Sequence, residues 1–192
     1  KLIEEINNDP KLYSNRKQHI SNWLNMIQII LFADAASAIM ISNKKRKGTK
    51  NYKLVKSYHL TNLYKNDSKL AYFQFIDGQK NLFLDKKLPI KGVKYAKLLF
   101  NQIPEEMNNK IKKWIIHTGS KKIIDGVISV CNLPKEICQE SYNVLENCGN
   151  LSLCSTLLGL SNLNTETEKG SYIGILSFGN GFKAGICILE KL

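Results

Sequence analysis

Apolar positions change period several times along the chain, and each change predicts an element. Tyr52–Leu60, Ala71–Ile76 and Asn81–Leu84 are short runs separated by turns rich in Asn, Asp and Gly, and they predict strands. From Ile90 to Lys113 the positions Val93, Ala96, Leu99 and Phe100 recur at helical spacing. Trp114-Ile115-Ile116 is an apolar run leading into His117, followed by Thr118-Gly119-Ser120 and an amphipathic pattern over 121–130. That order of strand, tight turn and helix puts a side chain at the carboxyl edge of a sheet. Ser141–Asn147 predicts a short helix, Cys148-Gly149-Asn150 a turn, and Leu151–Leu160 an apolar helix. Tyr172–Phe178 and Phe182–Leu189 are apolar strands joined around Gly179-Asn180-Gly181, a hairpin signal. Upstream, residues 2–8 and 17–30 read as helical with a break at Asp9-Pro10, and Ala36–Ser42 reads as a buried strand. The elements together predict an α/β layered domain, with Lys113–His117 and the last two strands in one mixed sheet and helices packed on it.

A chain of 192 residues with 43% hydrophobic residues suits one globular domain with a sizeable core. The longest near-candidate for a membrane span, Ile29 to Ile41, is too short and is broken by Asp34. The first residues, KLIEEINNDP, are polar and resemble no signal peptide; they also do not begin with Met, as expected of a fragment or a processed chain. The net charge of +12 comes almost wholly from Lys, with Arg at positions 16 and 46. Readers of nucleic acid lean on Arg forks and clustered aromatics, so charge alone does not point to that class. Lys44-Lys45-Arg46-Lys47, followed by Gly48, reads as a solvated turn between strands rather than a binding patch. A positive surface still favours anionic partners, such as coenzyme A phosphates or an acidic carrier protein. The five cysteines (131, 138, 148, 154 and 187) form no C-x-x-C pair and are odd in number, which argues against a zinc site or a disulfide framework. Cys154 and Cys187 lie in apolar runs and read as buried small hydrophobes in a reducing, cytoplasmic protein.

Of the three histidines, His19 and His59 lie in polar segments, whereas His117 ends an apolar strand. A lone His at such a position is more often structural than catalytic. Asn150, on a second glycine-containing turn before an apolar helix, is by itself as readily a helix cap or a left-handed turn residue. If the two converged, a His and an Asn amide could stabilise a developing oxyanion or enolate.

Four ordered segments carry a resemblance that neither residue carries alone: LFADAASAIMIS (31–42), WIIHTGSKKIIDGV (114–127), VLENCGNLSLCSTLL (144–158) and GSYIGILSFGNGFKAGICIL (170–189). They resemble the C-terminal half of type III polyketide synthases, the chalcone synthase-like branch of the thiolase superfamily, whose patterns are Leu-Phe-Gly-Asp-Gly-Ala, His-Pro-Gly-Gly, Tyr-Gly-Asn-Met-Ser-Ser and Gly-Phe-Gly-Pro-Gly. The stretch from His117 to Asp125 is most similar to the branch making 3,5-dihydroxyphenylacetyl-CoA.

The resemblance implies a thiolase-like C-terminal domain over 31–192, a helical tail of the N-terminal half over 1–30, and decarboxylative Claisen condensation of malonyl-CoA units on an acyl thioester. It implies that His117 and Asn150 are catalytic. Phe32 and Phe83 would be gatekeepers, Gly119 and Ser120 would shape the turn after the His, Ser152 would line the cavity, and Phe178, Gly179 and Gly181 would form the loop of the cyclisation pocket. No cofactor is implied beyond coenzyme A thioester substrates. The family's Cys nucleophile lies upstream of the segment matching 31–42, and no Cys precedes Cys131 here. A partner half carrying it, in the same or a separate chain, and a homodimer or heterodimer are therefore expected, with the 192 residues inactive alone. Ala33, Ala35, Ser120, Ser177 and Asn180 depart from the family pattern and would alter cavity shape. A class III ketoacyl synthase of fatty-acid type and a non-catalytic subunit completing a partner's fold are the competing expectations.

Overall fold

The computed structural model describes residues 30–45, 47, 51–76, 78–163 and 167–192. The helix expected over 2–8, the helix expected over 17–30 apart from its last residue, Ile30, and His19 lie outside the described residues. Among the described residues six strands are present: β1 (Tyr52–Thr61), β2 (Ala71–Ile76), β3 (Gln79–Leu84), β4 (Ile111–Ile116), β5 (Tyr172–Gly179) and β6 (Lys183–Lys191). Four of them form one sheet in the order β1-β6-β5-β4, while β2 and β3 pair as a separate hairpin. β6 runs antiparallel to both neighbours, and β4 is parallel to β5. The expected mixed sheet is thus formed, and a parallel β4–β5 pair requires a long crossover. That crossover contains α3 (Lys121–Cys131), α4 (Gln139–Cys148) and α5 (Cys154–Asn162).

Strand alternation divides the sheet into two faces. Trp114, Ile116, Leu176, Ala184, Ile186 and Ile188 face α3 and α1 (Leu88–Phe100), joining Tyr95, Ala96, Leu99, Ile124 and Val127 in the main core. On the opposite face Ile115 and Ile173 pack with Leu163, Leu160, Ile175 and Leu189 beneath α5. Two glycines set these approaches. A Cβ on Gly159 of α5 would lie 2.9 Å from Ile115 Cγ2, and one on Gly174 of β5 would meet the Trp114 ring at 2.6 Å. Helix α5 covers the β4–β5 side only; Ser57, His59 and Cys187, farther along the same face, are exposed.

Several expectations are corrected. The helix expected from Ile90 to Lys113 ends at Phe100; a one-turn helix, α2 (Glu105–Asn108), follows Pro104, and β4 begins at Ile111. Pro104 disfavours helix in the residue before it, and the apolar period stops at Phe100. The last apolar helix begins at Cys154 rather than Leu151, because Ser152 takes a left-handed conformation with φ 54°. Ala36–Ser42 forms no strand and is exposed. A strand requires a neighbour for its backbone N–H and C=O groups, and none among the described residues pairs with this segment. Lys44 and Lys45 are exposed, but the strand expected before them is therefore absent. Cys187 is exposed and Cys154 half-buried, because α5 leaves that part of the sheet open and the N-terminal end of α5 lies at its rim.

Candidate active site

The site begins where β4 ends. The Ile116 N–H donates to Ser141 Oγ of α4 at 2.8 Å, and the His117 N–H donates to the Leu176 carbonyl at 2.9 Å. These bonds keep the strand edge in register with β5 while releasing the chain into the turn. Ser120 then caps α3: its backbone is extended, and its Oγ accepts from the Ile123 N–H at 3.3 Å. The expected substrate-binding role of Ser120 therefore competes with a structural one.

The second turn closes α4. Gly149 has φ 72° and ψ −152°, a conformation open mainly to glycine. Asn150 Oδ1 accepts from the Ser152 N–H at 2.9 Å and supports the left-handed backbone there. That bond engages the carbonyl end of the Asn150 side chain and leaves its NH2 group able to donate elsewhere. The Asn150 carbonyl accepts from the Ala33 N–H at 3.1 Å, and Phe32 forms an isolated bridge with Asn150. Half-buried Phe32 is thereby held beside the turn.

A buried hydroxyl pair joins the two turns. Thr118, 1% exposed, places Oγ1 2.7 Å from Ser155 Oγ and 3.2 Å from the Gly149 carbonyl. Ser155 Oγ in turn accepts from the Leu151 N–H at 3.0 Å. The residue after His117 is thus tied to both residues flanking Asn150. Burial pushes the His117 imidazole pKa down to about 4, and the neighbouring Ser152 backbone pulls in the opposite sense. At neutral pH the ring is uncharged. Phe178 lies edge-on to it at 6.3 Å between centroids. A Cβ on Gly119 would sit 3.4 Å from His117 Nε2, so the glycine leaves that ring edge room.

The remaining expected residues fall in two places. Gly179 and Gly181 bracket the β5–β6 turn, where Gly181 has φ 92°. Phe83 lies on the β2–β3 hairpin, stacked on Tyr72 at 5.1 Å. The roles of Thr118, Ser141 and Ser155 escaped the sequence reading; of the three, only Ser155 carries a local signal, a hydroxyl in an otherwise apolar stretch. A cavity of about 480 Å3 lies at the other end of β4, lined among others by Phe100, Ile111, Trp114 and Leu133, and contains none of the residues of the two turns. Among the described residues no group of three or more His, Cys, Asp or Glu could hold a metal ion, and no helix is long and apolar enough to cross a membrane.

Residues 106–191 match the family described as 3-oxoacyl-[acyl-carrier-protein (ACP)] synthase III C terminal. The 1,3,6,8-tetrahydroxynaphthalene synthase of Streptomyces coelicolor A3(2), a bacterial type III polyketide synthase, is similar in structure with a TM-score of 0.65, over 76% of this chain and 42% of that one, at 19% identity. The fold is that of the C-terminal half of a type III polyketide synthase. A type III pentaketide synthase from Neurospora crassa agrees, with a TM-score of 0.64 over 78% of this chain and 44% of that chain, at 18% identity. In sequence, a 3,5-dihydroxyphenylacetyl-CoA synthase of Amycolatopsis orientalis is 25% identical over 115 residues, covering 57% of this chain. 3-Ketoacyl-CoA synthase 12 of Arabidopsis thaliana is 30% identical over 82 residues. The chain spans 31% of the length of the first of these relatives and 17% of the second.

Proposed function

We propose that this chain supplies the His and Asn of a condensing enzyme that extends an acyl thioester by decarboxylative Claisen condensation with malonyl-CoA, as in polyketide synthesis. The observation that carries this reading is the joining of the His117 and Asn150 turns through Thr118 and Ser155. Loss of carbon dioxide from a malonyl thioester moves an electron pair onto the thioester oxygen. Two prepositioned donors away from bulk water stabilise that charge more than solvent does. Asn150 offers its NH2 group, and His117 offers the single N–H of a neutral imidazole. Phe32, Phe178, Ser152 and the turn bearing Gly179 and Gly181 would shape the cavity, with Phe83 a more remote contributor.

The nucleophilic cysteine of this reading comes from a second half of the fold, in the same polypeptide or a partner chain. Cys131 and Cys138 are poor substitutes, since burial pushes their thiols up to about 11 and about 12. Homodimer or heterodimer assembly and a cytoplasmic setting belong to the same proposal. The match over 106–191 also supports a second reading, a class III ketoacyl synthase using an acyl carrier protein. Assays with malonyl-CoA and with malonyl-carrier protein separate the two.

The decisive test is malonyl decarboxylation by the chain assembled with that second half. His117→Ala and Asn150→Ala should each slow it by roughly a hundredfold or more, the scale of a lost oxyanion donor. Full activity in Asn150→Ala would favour a non-catalytic subunit instead. The 192 residues alone should give no condensation; turnover abolished by Cys148→Ala would reveal a nucleophile within them.

A further inference from the structure

The wall of the site formed by Phe178 is held from a distance. Phe178 stacks on Phe182 at 6.2 Å with planes 8° apart, and Phe182, 2% exposed, meets Tyr95 of α1 edge-on at 4.9 Å. The backbone of Phe182 is fastened independently. Its N–H donates to Asn62 Oδ1 at 2.8 Å, and its carbonyl accepts from the Asn62 N–H at 3.1 Å. One residue on, the Leu63 N–H donates to the Tyr95 hydroxyl at 2.7 Å, and that hydroxyl donates to Asp67 Oδ2 at 2.6 Å. Asp67 is 3% exposed; its Oδ1 pairs with Lys91 Nζ at 3.2 Å, and its Oδ2 accepts from the Tyr64 N–H at 3.3 Å. The Gly181 N–H donates to the Ala71 carbonyl at 2.8 Å, tying the same turn to the hairpin. A single continuous set of contacts therefore runs from a buried carboxylate to the ring beside His117.

We propose that Asp67, Tyr95 and Asn62 are positioning residues for the His117 site, acting by holding Phe182 and through it the Phe178 ring. The inference rests on the reading of His117 as a functional residue. A buried ion pair is a poor stabiliser, because desolvation offsets its attraction, and apolar packing would hold α1 to the sheet as well. What such a cluster supplies is geometry: five directional contacts fix the loop over 62–67 between α1 and the β5–β6 turn. On its other side Phe178 packs against α1 at Gly92, where a Cβ would make ordinary contact with Phe178 Cε1 at 3.6 Å. The ring is thus confined between α1, Phe182 and His117, and its cover contributes to the burial that keeps the imidazole uncharged.

The test reads His117 directly by NMR titration of its ring resonances in the full chain, with those of exposed His59 as internal control. Phe178→Leu sets the size of the effect, and Asp67→Asn and Asn62→Gly probe the distant residues. Asn62→Gly keeps the left-handed backbone (φ 47° in the native chain) and removes only the side-chain acceptor, so it serves if Asp67→Asn does not fold. We expect His117 to titrate near pH 4 in the native chain and to move upward by about one unit in each variant, a tenfold gain in proton affinity. Its ring-current shift should fall in parallel. An unchanged His117 titration in folded Asn62→Gly, or in Phe178→Leu, overturns the proposal. The readout requires no turnover, so it separates failure of this inference from failure of the condensing-enzyme reading, which the decarboxylation assay tests.

Discussion

A neutral imidazole carries one N–H, so the tautomer of His117 decides which ring nitrogen can donate to a thioester oxygen. Asn150 faces no such choice, because its oxygen is bonded to Ser152 and its NH2 group is separate. The low basicity of His117 also has a thermodynamic consequence. Its folded pKa lies near 4 against 6.5 unfolded, so between those values the unfolded chain binds a proton that the folded chain refuses. Its contribution is complete above pH 6.5, falls as pH drops toward 4 and levels off below. The loss is at most roughly 3 kcal/mol, and less because the ring retains partial solvent contact. Asp67 behaves in the same direction at lower pH. Burial opposes its ionisation, but bonds from Tyr95 and Lys91 prevail and hold its pKa below 3.8. Urea unfolding of the native chain and His117→Gln at pH 7 and pH 5 should therefore show a steeper loss for the native chain. Parallel pH dependence would place the imidazole in solvent.

At the scale of elements, two close approaches decide how the layers seat. Gly174 lets the Trp114 ring lie flat across β5, and Gly159 lets α5 descend onto Ile115. A methyl on Gly174 would meet ring atoms at 2.6 Å, with β4 and β5 fixed by their hydrogen bonds. Gly174→Ala should cost about 1–3 kcal/mol through overpacking and lower the thermal midpoint measured by circular dichroism. A midpoint equal to that of the native chain would show that Trp114 has room to shift. Elements with a strong local signal were legible in the sequence: β1, β2, β4, β5, β6, α3 and α4 lie where the apolar period and the turn residues put them, within a few residues. The helix over 90–113 was drawn too long, although the end of the apolar period at Phe100 and Pro104 both mark its stop in the sequence. The start of α5 was drawn too early, since nothing local announces that Ser152 adopts a left-handed backbone supported by Asn150.

Across the whole molecule, the apolar surface is not fully covered by the described residues. Ile39, Met40 and Ile41 are 63%, 65% and 93% exposed, and Leu153, at the start of α5, is 71% exposed. Large apolar groups clustered in this way mark an interaction surface, in line with the second half invoked above. The isolated chain should bind a hydrophobic dye and self-associate with rising concentration. Ile39→Lys with Ile41→Lys should reduce both without changing the far-ultraviolet circular dichroism, as followed by analytical ultracentrifugation. A native chain that stays monomeric and dye-free would show that this surface is covered from within.

The amino-acid sequence alone determined most of the local pieces: the strands and helices with a strong apolar period, that His117 follows a strand, and that Asn150 follows a helix-ending glycine. These follow from periodicity, capping and turn chemistry, which act over a few residues. Only the tertiary structure decided that Thr118 and Ser155 join the two turns, that none of the described residues pairs with Ala36–Ser42, and that Asp67 is linked to the wall of the site. Each depends on groups far apart in the chain meeting at hydrogen-bond or van der Waals distance, and apolar spacing along a sequence carries no record of which distant partner arrives.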